Sequence, residues 1–145
     1  MENTHQETVR VRTYECGPEG TLYPHDLLRQ MQEVASNHAD RLGWGFADLE
    51  SRGLIWVLSV IRMEISLWPT FGSSFLLHTW PSGLNRLQAA REFLGTDLEG
   101  RQLFAASSSW MVLNRNTGRP QNLLQMDKPF PLREKRVSAV FDEPA

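Results

Sequence analysis

Two groups suited to acid–base chemistry lie one helical turn apart in the first third of the chain. Glu33 and Asn37 belong to a stretch with helical periodicity, so their side chains share a face and can converge on one ligand atom. A carboxylate in apolar surroundings has a raised pKa and can activate water as a general base. The Asn37 amide can hold that water or a carbonyl oxygen. The structural alternative is that both side chains satisfy the backbone of a neighbouring loop.

The histidines offer one further candidate. His38 lies on the apolar stripe of the same helical stretch, where it can donate to a carbonyl or act as a base. The alternative is a buried histidine with a purely structural hydrogen bond. The four histidines are scattered along the chain, and zinc needs three or four convergent ligands, so we expect no metal site. The single cysteine, Cys16, has no adjacent base and is interpreted as an ordinary residue.

A long helix must carry these groups. Leu27, Met31, Val34, His38 and Leu42 recur at three- and four-residue spacing, which predicts a core-facing helix within residues 27–45. Pro24 suits its first turn and Gly43 its end, and residues 46–52 predict a short helical turn after it.

Strands account for the rest of the predicted domain. Alternation predicts a first strand over 8–15 and a long strand from Leu54 that lies in the middle of a sheet. Ile55, Val57 and Ile61 would share one face of the long strand, and Trp56, Leu58 and Val60 the other. Further strands are predicted over 74–80, 85–95 and 101–114, with Pro81 ending the first of these. One helix followed by long antiparallel strands predicts an α+β domain in which a five- to six-stranded sheet wraps the helix.

Length and composition bound the function. The chain has 145 residues, which predicts one domain over 1–124, followed by an extended or partly disordered tail over 125–145. Apolar residues at 41% and charged residues at 22% are typical of a soluble globular protein. A net charge of −2 gives no electrostatic reason to expect nucleic acid or an anionic membrane as a partner. No apolar run predicts a membrane span, and one cysteine fits a reducing cytoplasm.

Known catalytic and cofactor motifs are not found in the sequence. It has no GxSxG elbow and no glycine-rich phosphate loop, so we expect no serine-hydrolase mechanism and no cofactor. Catalysis would then depend on carboxylate, amide and backbone groups that act on a bound water.

A series of short motifs resembles the acyl-acyl-carrier-protein thioesterases, and specifically the first of the two hot-dog repeats of that family. The likeness covers residues 9–123. Its motifs are Gln32-Glu33-Val34, Asn37-His38-Ala39, Leu54-Ile55-Trp56-Val57, Arg62-Met63, Trp68-Pro69-Thr70 with Gly72, Thr79-Trp80, Ala106-Ser107-Ser108-Ser109-Trp110, Asn114 and Thr117-Gly118-Arg119.

The resemblance implies a hot-dog fold and hydrolysis of an acyl thioester carried by acyl carrier protein or coenzyme A. The family's second repeat carries an Asp-x-Asn-x-His cluster before its helix, and Gly17, Glu19 and Thr21 stand at the equivalent positions here. The usual loop residues are therefore replaced. The resemblance also implies a homodimer with sites at the interface, and exposed sheet edges favour pairing as well. A tetramer is a further alternative, because Trp56 and its neighbours would crowd the outer sheet face.

Further site candidates follow from the resemblance. Glu92 aligns with a strand glutamate of the second repeat, where Phe93 replaces a neighbouring cysteine; the alternative is a solvated charge paired with Arg62 or Arg86. Trp56, Trp68, Trp80 and Trp110 are candidates for an acyl channel or for ordinary packing. Arg86, Arg91 and Arg119 could meet a pantetheine phosphate or an acidic carrier, or be surface charges. Trp56, Arg62, Trp68 and Arg91 are the predicted substrate-binding residues, and Glu33, Asn37, His38 and Glu92 the predicted catalytic ones.

The predicted mechanism is attack by water assisted by Glu33 or Glu92, with a backbone amide near residues 25–27 polarising the carbonyl. Two other functions stay open. One is a hydratase or dehydratase of 3-hydroxyacyl thioesters that uses His38 with Glu92. The other is a non-catalytic hot-dog protein that binds acyl thioesters.

Overall fold

The computed structural model describes residues 4–126 and 129–137. A single antiparallel sheet wraps one long helix. The strands are β1 (His5–Arg10), β2 (Leu54–Ile65), β3 (Ser74–Leu84), β4 (Ala89–Thr96) and β5 (Gln102–Asn114), and the helices are α1 (Pro24–Arg41) and α2 (Phe46–Glu50). Short 3-10 turns occupy Thr13–Glu15 and Leu123–Gln125. No helix in these described ranges is long and apolar enough to cross a membrane.

Helix α1 forms where the apolar periodicity predicts it. Pro24 occupies its first turn, and Leu27, Met31, Val34 and His38 are buried on one face. The helix ends at Arg41, and Gly43 follows with φ 81°, a left-handed conformation that glycine adopts without a Cβ clash.

The sheet has the order β1-β3-β4-β5-β2, and every pairing is antiparallel. Its inner face packs on α1 through Phe75, Leu77, Phe93, Phe104 and Ala106, which share a core with the helix stripe. The predicted α+β architecture is confirmed, with five strands among the described residues.

The long strand β2 is an edge strand, so its predicted place in the middle of the sheet is wrong. It pairs with β5 on one side only. It is twelve residues long and pairs with β5, which has thirteen.

The predicted faces of β2 are also wrong, because a bulge between Leu58 and Val60 shifts its register. Before the bulge Leu54 and Trp56 pack inward, and after it Ile61 and Met63 do. Trp56 therefore belongs to the interior and does not crowd the outer face.

Other boundaries also differ from the predictions, and strand β4 begins at Ala89 instead of residue 85. The first strand is His5–Arg10, and residues 13–15 form a turn because the Glu15 carboxylate accepts the backbone N–H of Arg12 at 2.8 Å. Strand β3 continues through Pro81, where a second bulge, between Pro81 and Gly83, keeps the pairing with β4.

The described part of the tail is extended and packs on the domain. The indole of Trp44 donates to the Pro129 carbonyl at 2.7 Å, and that of Trp80 to the Lys135 carbonyl at 2.8 Å. The Arg133 guanidinium lies 4.6 Å from the Trp80 ring. The predicted tail disorder at 127–128 and 138–145 lies outside the described residues.

Candidate active site

An apolar cavity of about 290 Å³ lies between the second half of α1 and the inner face of the sheet. The helix contributes Gln32, Ala35, Ser36 and Ala39, whose spacing of three, four and seven residues sets them on one face. Small side chains along this face leave the space open. The cavity volume is near the lower limit of ligand pockets in proteins.

Aromatic side chains form much of the cavity wall. Trp44, Trp56, Trp110 and Phe130 line it, and the Trp44 ring meets those of Trp56 and Phe130 at centroid distances of 6.3 and 4.8 Å. Two of the four predicted channel tryptophans thus line the cavity. Sequence reasoning missed Trp44 and Phe130, since Phe130 comes from the tail and Trp44 from a glycine-flanked turn, neither of which has a periodic pattern.

Among the described residues, Arg91 is the one charged residue of the cavity lining, and it leads into a polar network. Its Nη1 donates to His38 Nδ1 and to Thr79 Oγ1, each at 3.0 Å. Burial lowers the pKa of Arg91 to about 10, so the guanidinium stays charged at neutral pH. Burial, reinforced by the positive charge of Arg91, lowers the pKa of His38 to about 3, so its imidazole is neutral.

The network continues from His38 to the surface through β1. The rings of His5 and His38 stack with centroids 5.2 Å apart. Because arginine can only donate, the 2.7 Å contact from Arg41 Nη1 makes His5 Nδ1 an acceptor, and His5 Nε2 then donates to Glu7 at 2.7 Å.

Glu7 is the carboxylate of this network, and sequence reasoning missed it. Asn37 Nδ2 donates to Glu7 Oε2 at 2.9 Å. Partial burial alone would raise the Glu7 pKa, but the hydrogen bonds from His5 and Asn37 outweigh it and hold the pKa below its usual value. Alternation along β1 places Glu7 on the same face as His5 and Val9, a pattern that the sequence contains. Its pairing with Asn37 could not be predicted, because the two residues are thirty positions apart.

The structure does not bring Glu33 to Asn37 or to the cavity. Glu33 is exposed, and its carboxylate makes no hydrogen bond or ion pair with any residue that the structure describes. Glu33 and Asn37 do lie one turn apart on α1, but the Asn37 side chain hydrogen-bonds Glu7 instead of sharing a ligand with Glu33.

Glu92 lies on the outer face of the sheet, opposite to the cavity. Successive strand residues point to opposite faces, and Arg91 takes the inner one. Glu92 accepts from the hydroxyls of Ser82, at 2.5 Å, and Ser107, and pairs with Arg136 of the tail at 3.1 Å. It is therefore not the solvated charge of the alternative prediction. Its partners also differ from the predicted Arg62 and Arg86.

Of the other predicted substrate-binding residues, one lies in the cavity wall and two do not. Trp56 lines the cavity and donates to the Trp44 carbonyl at 2.7 Å. Trp68 packs on the main core instead, and Arg62 is exposed on β2. Trp80 lies against the tail on the outer face.

The start of α1 does not supply an amide to the cavity. The amides of Asp26 and Leu27 both bond the Tyr23 carbonyl, at 3.1 and 3.0 Å. Moreover, the cavity begins at Gln32, further along the helix. Among residues 4–126 and 129–137 no three metal-binding side chains converge, so no residue set here fits a metal ion.

The fold and the cavity define a hot-dog domain, and comparison with known proteins identifies its family. The family model of the acyl-ACP thioesterase N-terminal domain matches residues 2–126, so the chain belongs to this family. An acyl-[acyl-carrier-protein] hydrolase of Cuphea viscosissima is 29% identical over 96% of this chain. An oleoyl-acyl carrier protein thioesterase of Arabidopsis thaliana is 30% identical over 83% of this chain.

The chain spans only about a third of these relatives, 34% and 35% of their lengths. Solved structures confirm the hot-dog fold. An acyl-ACP thioesterase of Bacteroides thetaiotaomicron has a TM-score of 0.79 and 25% identity, over 98% of this chain and 61% of its own. The 12:0-ACP thioesterase of Umbellularia californica has a TM-score of 0.74 and 25% identity, over 83% of this chain and 46% of its own.

Proposed function

We propose that this protein takes part in the hydrolysis of acyl thioesters carried by acyl carrier protein or coenzyme A, and that its cavity binds the acyl group. Family membership supports the reaction, and the apolar cavity beside Ala35 supports the binding role. Burial of each CH₂ group contributes about 0.8 kcal/mol, so a cavity of this kind gives binding energy to an alkyl chain.

The polar network supports a defined orientation for the ligand. Arg91 is the charged group that the described residues contribute to the lining, and apolar side chains such as Trp56 and Phe130 surround the rest of the cavity. The reacting end of an acyl group would lie near the guanidinium, and its alkyl part among the aromatic side chains.

Water activation requires a base near the bound acyl group. The cavity lining contains no carboxylate among the described residues, and Glu33 and Glu92 lie elsewhere. Among the described residues, Glu7 is linked to the cavity through His5, His38 and Arg91. This observation favours a second candidate function, a hot-dog domain that binds acyl thioesters and does not activate the water itself.

The two functions are separated by following thiol release from octanoyl and dodecanoyl thioesters of coenzyme A and of acyl carrier protein. A hydrolase releases thiol from at least one of them. Glu7→Gln, Glu33→Gln and Glu92→Gln then test the carboxylate mechanism, with Glu99→Gln in an exposed turn as the control. Loss of a general base lowers the rate by about 10²-fold or more. Wild-type rates in all four variants would contradict a carboxylate mechanism on this chain, and no thiol release would leave the binding function.

A 3-hydroxyacyl hydratase receives no support from the geometry. Its predicted pair, His38 and Glu92, lies on opposite faces of the sheet.

We also propose a homodimer formed through β2. This edge strand is twelve residues long, and its outward side chains Val57 and Val60 are 38% and 44% exposed. Long edges with exposed apolar side chains favour pairing. Light scattering at micromolar concentration should give twice the chain mass or more, and a monomer mass would contradict the proposal.

A further inference from the structure

Arg91 is a buried cation with neutral protein partners. It is only 8% exposed, and its two side-chain hydrogen bonds go to the neutral imidazole of His38 and the hydroxyl of Thr79. No carboxylate of residues 4–126 or 129–137 pairs with it. A buried charge without a counter-ion is unfavourable, so this arrangement is incomplete by itself.

The remaining guanidinium nitrogens have no partner among the described residues. Both bonds leave from Nη1, so Nε and Nη2 bind no described group. In the described part of the chain, the one fully enclosed side-chain polar atom without a partner is Gln30 Oε1. The Nε and Nη2 atoms of Arg91 are therefore not fully enclosed, and Arg91 is itself a lining residue of the cavity.

The surroundings carry an excess of positive charge. The network of hydrogen bonds and stacked histidine rings from β4 to β1 holds the guanidinium groups of Arg91 and Arg41 and, in the described ranges, one carboxylate, Glu7. Since His5 and Asn37 already bind Glu7, the local field at Arg91 favours an added anion.

We propose that the cavity binds free monocarboxylic acids with an apolar body, and that Arg91 holds the carboxylate as a two-point anchor. Guanidinium matches carboxylate geometry with two parallel hydrogen bonds. At about 30 Å³ for each water-sized group, a cavity of about 290 Å³ takes roughly ten non-hydrogen atoms, the number in octanoate.

This inference goes beyond the proposed hydrolysis, because a thioester has no carboxylate. It assigns the cavity a second class of ligand, the free acid that thioester hydrolysis would release. The binding does not require turnover, so the two proposals can fail separately.

The test measures binding of octanoate, octanamide and 1-octanol to the full wild-type chain by titration calorimetry at pH 7.5. The three probes share a chain length and differ in charge. We expect octanoate to bind about tenfold more tightly than either neutral probe, or better, the scale of a hydrogen bond to a charged group. Equal affinities, or no octanoate binding, would overturn the proposal without any variant.

Variants locate the anchor. Arg91→Met should remove the preference for octanoate. Arg91→Lys should retain part of it, because lysine keeps the positive charge but cannot donate the two parallel hydrogen bonds of a guanidinium. Lys135→Met is the matched control, since Lys135 lines a separate cavity on the outer face with Arg133 and Arg136. Octanoate binding that survives Arg91→Met, or is lost in Lys135→Met, would overturn the site.

Thiol-release assays on the same preparation keep the two proposals apart. Preferential octanoate binding without thiol release from any thioester would support this site and contradict hydrolysis. Thiol release together with equal affinities for the three probes would support hydrolysis and contradict the carboxylate site.

Discussion

Arg91 and Glu92 are neighbours on β4, both are buried, and they face opposite sides of the sheet. On the outer side Glu92 has a complete set of partners in Ser82, Ser107, Arg136 and the amide of Val137. On the inner side Arg91 has two neutral partners and an adjacent cavity. The difference indicates that a buried charge with all its partners fastens the structure together, and that one with partners missing marks a ligand site.

The largest expected effect is on stability at the outer side. Glu92→Leu should lower the free energy of unfolding by roughly 3 kcal/mol, because the hydroxyls of Ser82 and Ser107 and the Arg136 guanidinium lose their acceptor. Urea unfolding measures the change, and Glu99→Leu in an exposed turn is the control. If Glu92→Leu lost no more stability than the control, Glu92 would not have the structural role that distinguishes it from Arg91.

A smaller effect is expected in the pH dependence of the inner side. The folded pKa of His38 is about 3, well below that of an unfolded histidine, so the unfolded chain binds one more proton between these values. Stability from the neutral imidazole is present above about pH 6.5 and falls as the pH drops, by at most about 1.4 kcal/mol per pH unit.

His38→Gln isolates this contribution. Its amide oxygen still accepts from Arg91, but the side chain does not titrate. Between pH 7.5 and 5, urea unfolding of the wild type should therefore lose more stability than that of His38→Gln. Parallel losses in the two proteins would mean that His38 is not held neutral.

The smallest effect is expected when the inner charge is removed. Arg91→Met loses two hydrogen bonds and also relieves an uncompensated buried charge, so the free energy of unfolding should change by less than about 1 kcal/mol. The same urea titration measures it. A loss as large as that of Glu92→Leu would mean that Arg91 is a structural residue like its neighbour.

Local patterns predicted the secondary structure well. The stripe from Leu27 to His38 identified α1, and alternation identified β2, because these signals depend on neighbours three, four or two residues away. The order of the strands and the bulge at residue 59 depend on pairing across the sheet, which a local pattern does not contain.

The site was less predictable for the same reason. Arg91, Trp56 and His38 were identified as candidates, and the structure places them in or beside the cavity wall. The sequence did not show which face of the sheet each β4 residue takes, so Glu92 was assigned to the cleft. It also did not show where the tail packs, so Phe130 was missed. The partner of Asn37 is thirty residues away on β1, a separation that helix spacing does not reveal.

The central claim is that the inner cavity takes the alkyl chain of the ligand, with Ala35 in its wall. The most direct measurement is the affinity for S-alkyl coenzyme A thioethers from four to twelve carbons, which bind without turnover. We predict that four added methylenes tighten binding by roughly 3 kcal/mol until the cavity is full. Ala35→Phe should shorten the chain at which this gain ends, and Ala47→Phe, at an exposed position on α2, should leave it unchanged. An affinity that does not vary with chain length in the wild type and is unaffected by Ala35→Phe would contradict the claim.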